Sequence, residues 1–126
     1  EVLNRNRQSL NGSSILLLGV AYKKDIDDVR ESPALDVMSL LQQKGAEVKY
    51  HDPYVSMLSG ESTTMTSEKL TDELFSWADV VVILTDHSDF DYARILEQAK
   101  TLIDARHAVA KAGIATDEDD SWILKT

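Results

Sequence analysis

An α/β domain of three layers, with helices on both faces of a mostly parallel sheet, is what this chain of 126 residues predicts. Three observations carry that expectation. Apolar runs of four to six residues recur along the chain, too short for helices and dense enough for strands covered on both faces. Segments with apolar residues at helical spacing separate them. Glycine, proline and serine punctuate the joints.

Residues 1–14, EVLNRNRQSLNGSS, are polar with a weak apolar period at Val2, Leu3 and Leu10. They read as the end of a linker helix and a Gly-Ser joint, leaving 15–126 as the domain proper. The first strand is Ile15–Val20, ILLLGV. Ser32 then offers a helix cap, and Pro33 suits the first helical position, where its missing N–H is harmless. Ala34, Val37, Met38 and Leu41 recur on one helical face, and Gly45 ends the helix. The second strand, Glu47–His51, alternates at Val48 and Tyr50, which suits a place near an edge. Leu70, Leu74 and Trp77 mark a second helical stripe before the third strand, Val80–Thr85. Tyr92, Ile95, Leu96 and Ala99 mark a third before the fourth strand, Thr101–Asp104. The acidic stretch Thr116–Asp120 reads as surface, and the SWIL that follows either returns to the core or meets another domain.

Right-handed crossovers arrange four such strands most simply in the spatial order 2-1-3-4, a Rossmann-like topology. Ligands of open α/β sheets bind beyond the carboxyl ends of the strands, where that order reverses. The segments to watch are therefore Tyr22–Arg30, His51–Pro53, Thr85–Phe90 and Ala105–His107, which place Lys23, Thr85, His87 and Arg106 near one rim.

Composition narrows the function classes. The formal charge is −9, from 22 acidic and 13 basic residues, a poor surface for nucleic acid or an anionic membrane. A small anionic ligand stays possible where basic groups converge. The chain has no cysteine, so it holds no disulfide, thiolate metal site or cysteine nucleophile. No apolar run approaches the ~20 residues that span a bilayer, and no signal peptide is visible. The expectation is part of a cytoplasmic polypeptide, cut from something longer, since the chain opens at Glu1 without methionine.

The segment GVAYKKDIDDVRESPAL, Gly19–Leu35, places many charges between a buried strand and a helix. On pattern alone Lys23 and Lys24 fit two readings: a solvated loop of self-cancelling charges, or an anion site helped by the N–H groups of the next helix. The loop has Gly19 but no GxGxxG, which argues against a primary NAD site here. Arg106 either pairs with Asp104 or is simply solvated, or it offers its planar fork to a phosphate, ribose or base. His51 with Asp52, and Asp86 with His87, have metal-ligand chemistry, but nothing supplies further ligands at recognisable spacing, so turn and capping roles are expected and no metal. Trp77 and Trp122 read as packing residues.

Ile15–Val55 strongly resembles the C-terminal domain of UDP-sugar 6-dehydrogenases, the family of UDP-glucose and UDP-N-acetylhexosamine dehydrogenases. LNRNRQSLNGSS looks like the end of that family's central linking helix, and VVVILTDHSDF and LIDARH match its later strand ends in order. The resemblance reaches about Lys111 and leaves the final TDEDDSWILKT unmatched. It implies an enzyme that oxidises the C6 hydroxyl of a UDP-sugar to a carboxylate in two NAD⁺-dependent steps through cysteine-bound intermediates. NAD would sit mainly on an N-terminal domain absent here, a central region would dimerise, and this domain would close over UDP. By motif, Tyr22 and Lys23 resemble the aromatic-lysine pair that contacts the UDP-sugar. Arg106 resembles the arginine that contacts the nucleotide. Arg30 and Glu31 match the Arg-Glu of the signature, whose role is cofactor contact or loop order, the latter favoured. His107 stands where many relatives are expected to carry asparagine. KKDIDDVRESPA leans toward an N-acetylhexosamine over glucose. Alone, the chain would carry no catalytic residue. The full enzyme would be a homo-oligomer in a polysaccharide pathway. Two other classes remain in view: a receiver-like signalling module, which the AYKK after the first strand fits poorly, and a structural or oligomerising domain.

Overall fold

The computed structural model describes residues 11–21, 25, 32–59, 64–114 and 123–125. Its centre is the apolar strand β1 (Ser14–Leu18). A helix, α1 (Ala34–Gln43), leads to β2 (Glu47–His51), and a hairpin of β3 (Met57–Ser59) and β4 (Thr64–Thr66) follows. Then come α2 (Asp72–Trp77), β5 (Val80–Ile83), α3 (Tyr92–Gln98), β6 (Leu102–Asp104), the short α4 (Ala108–Lys111) and β7 (Ile123–Lys125).

The main sheet runs β2-β1-β5-β6-β7. Its first three pairings are parallel, and β7 joins β6 antiparallel. The expected inner order 2-1-3-4 is therefore present as β2-β1-β5-β6, and SWIL returns in part to the sheet through Ile123. Successive strand residues face opposite ways, so β1 feeds two cores. Leu16 and Leu18 pack with Val81, Ile83, Leu102 and residues of α2, α3 and α4. Ile15 and Leu17 pack with Val48, Tyr50, Val80, Ala34 and Met38 of α1, and Leu58 of the hairpin. That division makes the three layers.

Several boundaries differ from the sequence expectation for local reasons. Pro33 occupies the cap position of α1 rather than its first helical residue, at φ −72° and ψ −6°. Ser32 Oγ still accepts the Ala34 N–H (3.2 Å) and donates to the Val20 carbonyl (2.7 Å). Leu70 lies before α2, which starts after Thr71, whose Oγ1 accepts the Leu74 N–H; Leu70 nonetheless packs on the same core. The hairpin was not expected, because its strands have three residues each and bury only Leu58 fully. Among the described residues no helix is long and apolar enough to cross a membrane.

Candidate functional site at the strand-order reversal

The chain leaves β1 through Gly19, at φ 82°, where an added Cβ would lie 2.6 Å from Thr85 Cβ. Only glycine suits that close approach. Gly19 N–H donates to the His51 carbonyl (2.9 Å), and Leu84 N–H to that of Leu18 (2.9 Å). The ends of β2, β1 and β5 are thus laced side by side. Thr85, buried, donates its hydroxyl to the Ala21 carbonyl at 2.6 Å.

Asp52 and His87 meet beneath this rim, at 3% and 0% exposure. Asp52 Oδ2 accepts the N–H groups of Val20 (2.7 Å) and Ala21 (3.2 Å) and the Nε2–H of His87 (2.9 Å). Its Oδ1 accepts the Tyr54 N–H (2.8 Å). Burial alone would raise the Asp52 carboxyl, but the hydrogen bonds from His87, Val20 and Tyr54 prevail and hold it below the usual carboxylate range. His87 Nδ1 accepts the Asp25 N–H at 2.7 Å, which fixes a neutral imidazole protonated at Nε2. Asp25, at φ 63°, grips Ser88 through its N–H and its hydroxyl, both at 2.7 Å. Tyr54 and Phe90 flank the His87 ring at 4.8 and 5.5 Å between centroids, and Tyr92 donates its hydroxyl to the His87 carbonyl. Burial pushes the Tyr92 hydroxyl up, helped by Asp86, Asp104 and Asp25.

At the end of β6 the buried Asp104 organises the next turn. Its Oδ1 accepts the N–H groups of Arg106 (3.2 Å) and Ala108 (2.9 Å), and its Oδ2 that of Val109 (3.0 Å). Arg106 Nε donates to the Leu84 carbonyl at 2.9 Å, so the guanidinium lies across the end of β5. Asp104 thus serves the Arg106 backbone, while the Arg106 side chain braces the neighbouring strand. His107 has φ 53°, a left-handed conformation asparagine tolerates well, which accounts for asparagine as the residue expected there.

Thr85 and Arg106 therefore lie at the rim, and His87 is buried beneath it. Tyr22, Lys23, Arg30 and Glu31 lie outside the described residues. The two suspected metal pairs separate: His51 Nδ1 donates to the Glu68 carbonyl (2.7 Å), Asp52 binds His87, and Asp86 pairs with Lys111 (3.2 Å). Sequence reasoning missed the Asp52–His87–Asp25 chain. Its signal was present in HDP and TDHSDF, two polar segments following the strands that flank β1.

These features define a Rossmann-like α/β domain whose reversal point is braced by side chains rather than by a glycine-rich turn. The chain belongs to the UDP-glucose/GDP-mannose dehydrogenase family, whose UDP binding domain matches residues 16–111. It is 37% identical over 76 residues to a UDP-N-acetyl-D-mannosamine dehydrogenase of Methanococcus maripaludis, covering 60% of this chain and 16% of that protein. It is 37% identical over 101 residues to a UDP-glucose 6-dehydrogenase of Bacillus subtilis, covering 75% and 21%. Among solved structures, the UDP-D-ManNAc dehydrogenase of Pyrococcus horikoshii superposes with a TM-score of 0.63 at 29% identity, over 81% of this chain and 23% of that one. The chain thus spans roughly a fifth of the length of such relatives.

Among the described residues, NAD, which the family resemblance implies, finds no open N–H groups for a primary site at this rim. A dinucleotide pyrophosphate rests on open N–H groups at the first strand's exit. Here those of Val20 and Ala21 are taken by Asp52, and Thr85 fills the space over Gly19.

Proposed function

We propose that this domain holds the UDP moiety of a UDP-sugar in a longer, NAD-dependent dehydrogenase that oxidises the sugar C6 hydroxyl to a carboxylate. The observation that carries the proposal is Arg106, matched by motif to the family's nucleotide-contacting arginine and anchored at the strand-order reversal through the Leu84 carbonyl. Tyr22 and Lys23 contact the UDP-sugar from the loop after β1. Arg30 orders that loop or reaches the cofactor across the cleft. NAD and the catalytic cysteine belong to other parts of the polypeptide, which works as a homo-oligomer in the cytoplasm. The KKDIDDVRESPA segment favours a UDP-N-acetylhexosamine over UDP-glucose.

Calorimetric titration of the full-length protein with UDP, and with ADP as control, tests the reading. UDP binds preferentially, and Lys23→Ala or Arg106→Ala weakens it by roughly 1.5–3 kcal/mol, the worth of a charge-assisted hydrogen bond. Unchanged UDP affinity in both variants overturns the assignment. Turnover of UDP-N-acetylmannosamine no better than that of UDP-glucose overturns the sugar preference alone.

A further inference from the structure

Arg106 is held at two points. At its base the Asp104 carboxylate, 1% exposed, accepts the N–H groups of Arg106 (3.2 Å), Ala108 (2.9 Å) and Val109 (3.0 Å). These donors lie on either side of the Arg106 α-carbon, so one buried side chain grips the main chain before and after it. His107 stands between them at φ 53°, a left-handed conformation that persists in a non-glycine residue where its surroundings over-determine it.

Further out, Arg106 Nε donates to the Leu84 carbonyl at 2.9 Å. That carbonyl sits among main-chain bonds that lock the strand ends together: Leu84 N–H to the Leu18 carbonyl (2.9 Å) and Ala105 N–H to that of Ile83 (3.1 Å). The Asp104 bonds to Ala108 and Val109 start α4. The bond to the Arg106 N–H starts no helix, and falls on the residue whose side chain lies across the end of β5. Arginine has many rotamers, and holding it before a ligand arrives spares that ordering on binding.

The geometry points to Asp104 as the positioning residue of Arg106: together with the Leu84 carbonyl it presents the guanidinium, already oriented, to the UDP moiety. The inference rests on the UDP-sugar reading above and adds to it a buried residue that touches no substrate.

Steady-state kinetics of the full-length enzyme with Asp104→Ala, Arg106→Ala, the double variant and Arg106→Lys provide the test. Asp104→Ala raises the UDP-sugar KM about three- to tenfold, one hydrogen bond's worth, with kcat changed less than about twofold. In the Arg106→Ala background the same substitution changes KM less than about twofold, because nothing is left to position. A merely structural role would raise KM equally in both backgrounds. The lysine of Arg106→Lys is a point charge that cannot both hold the Leu84 carbonyl and reach the ligand, so its KM lies within about twofold of that of Arg106→Ala. A wild-type KM in Asp104→Ala overturns the inference. So does an equal rise in both backgrounds, or a KM in Arg106→Lys nearer to wild type than to Arg106→Ala. If Asp104→Ala does not fold, Arg106→Lys alone decides. Arg106→Ala separates the two ideas. If it raises KM while Asp104→Ala does not, only the positioning role falls; if it leaves KM unchanged, the binding role falls too.

Discussion

At Gly19 a methyl group would stand 2.6 Å from Thr85 Cβ and 2.7 Å from the Thr85 carbonyl oxygen, on a backbone at φ 82°. The second neighbour is main chain, so rotating a side chain does not relieve it. Backbone strain and overpacking each cost ~1–3 kcal/mol, so Gly19→Ala is expected to lose about 3 kcal/mol or more in urea denaturation. A loss under about 1 kcal/mol would mean that β1 and β5 part more easily than their pairing implies. The requirement for glycine there was not legible in the sequence, because Thr85 is 66 positions away. What could be read was that the loop has no second glycine.

Among the elements, α4 is the one that depends most on its neighbours. Four residues cannot hold a helix by themselves. Asp104, ending β6, accepts the N–H groups of Arg106, Ala108 and Val109 while 1% exposed. Asp104→Ala leaves those donors buried without an acceptor and is expected to cost about 2–4 kcal/mol. Faster amide exchange at Ala108 and Val109 would localise the damage, and unchanged exchange would refute the capping role. The helices with apolar spacing were legible. α4 and the β3–β4 hairpin were not, since elements of three or four residues are too short for periodicity to show.

Across the whole molecule, Asp52 ties the end of β2 to that of β1 and, through His87, to the segment after β5. Its carboxyl titrates lower in the folded chain, where His87, Val20 and Tyr54 outweigh burial. The stability it contributes is therefore complete above the unfolded value near ~3.9 and lost as pH falls through the lower folded value. Asp52→Asn is expected to be less stable at neutral pH by about 2–4 kcal/mol, with a flatter decline on acidification. Denaturation curves at pH 7, 4 and 3 check this, and parallel declines in both proteins would refute it. Tyr50 acts at the other extreme. Burial, with Asp52 nearby, pushes its hydroxyl up to about 12. Its contribution is full below ~10 and is lost as pH rises through about 12.

The sequence by itself determined the sheet's inner order, the two helix-covered faces and the family, because apolar period and signature motifs are local properties of the chain. The place of Arg106 just after β6, where its side chain reaches the Leu84 carbonyl, was legible for the same reason. The tertiary structure alone decided that Asp52 partners His87 across 35 positions and that Asp25 partners His87 across 62. A carboxylate, an imidazole and a backbone amide carry no mark of their partners. The parallel register of β1 with β2 and β5 brings Asp52 and His87 together, and their burial makes that pairing obligatory.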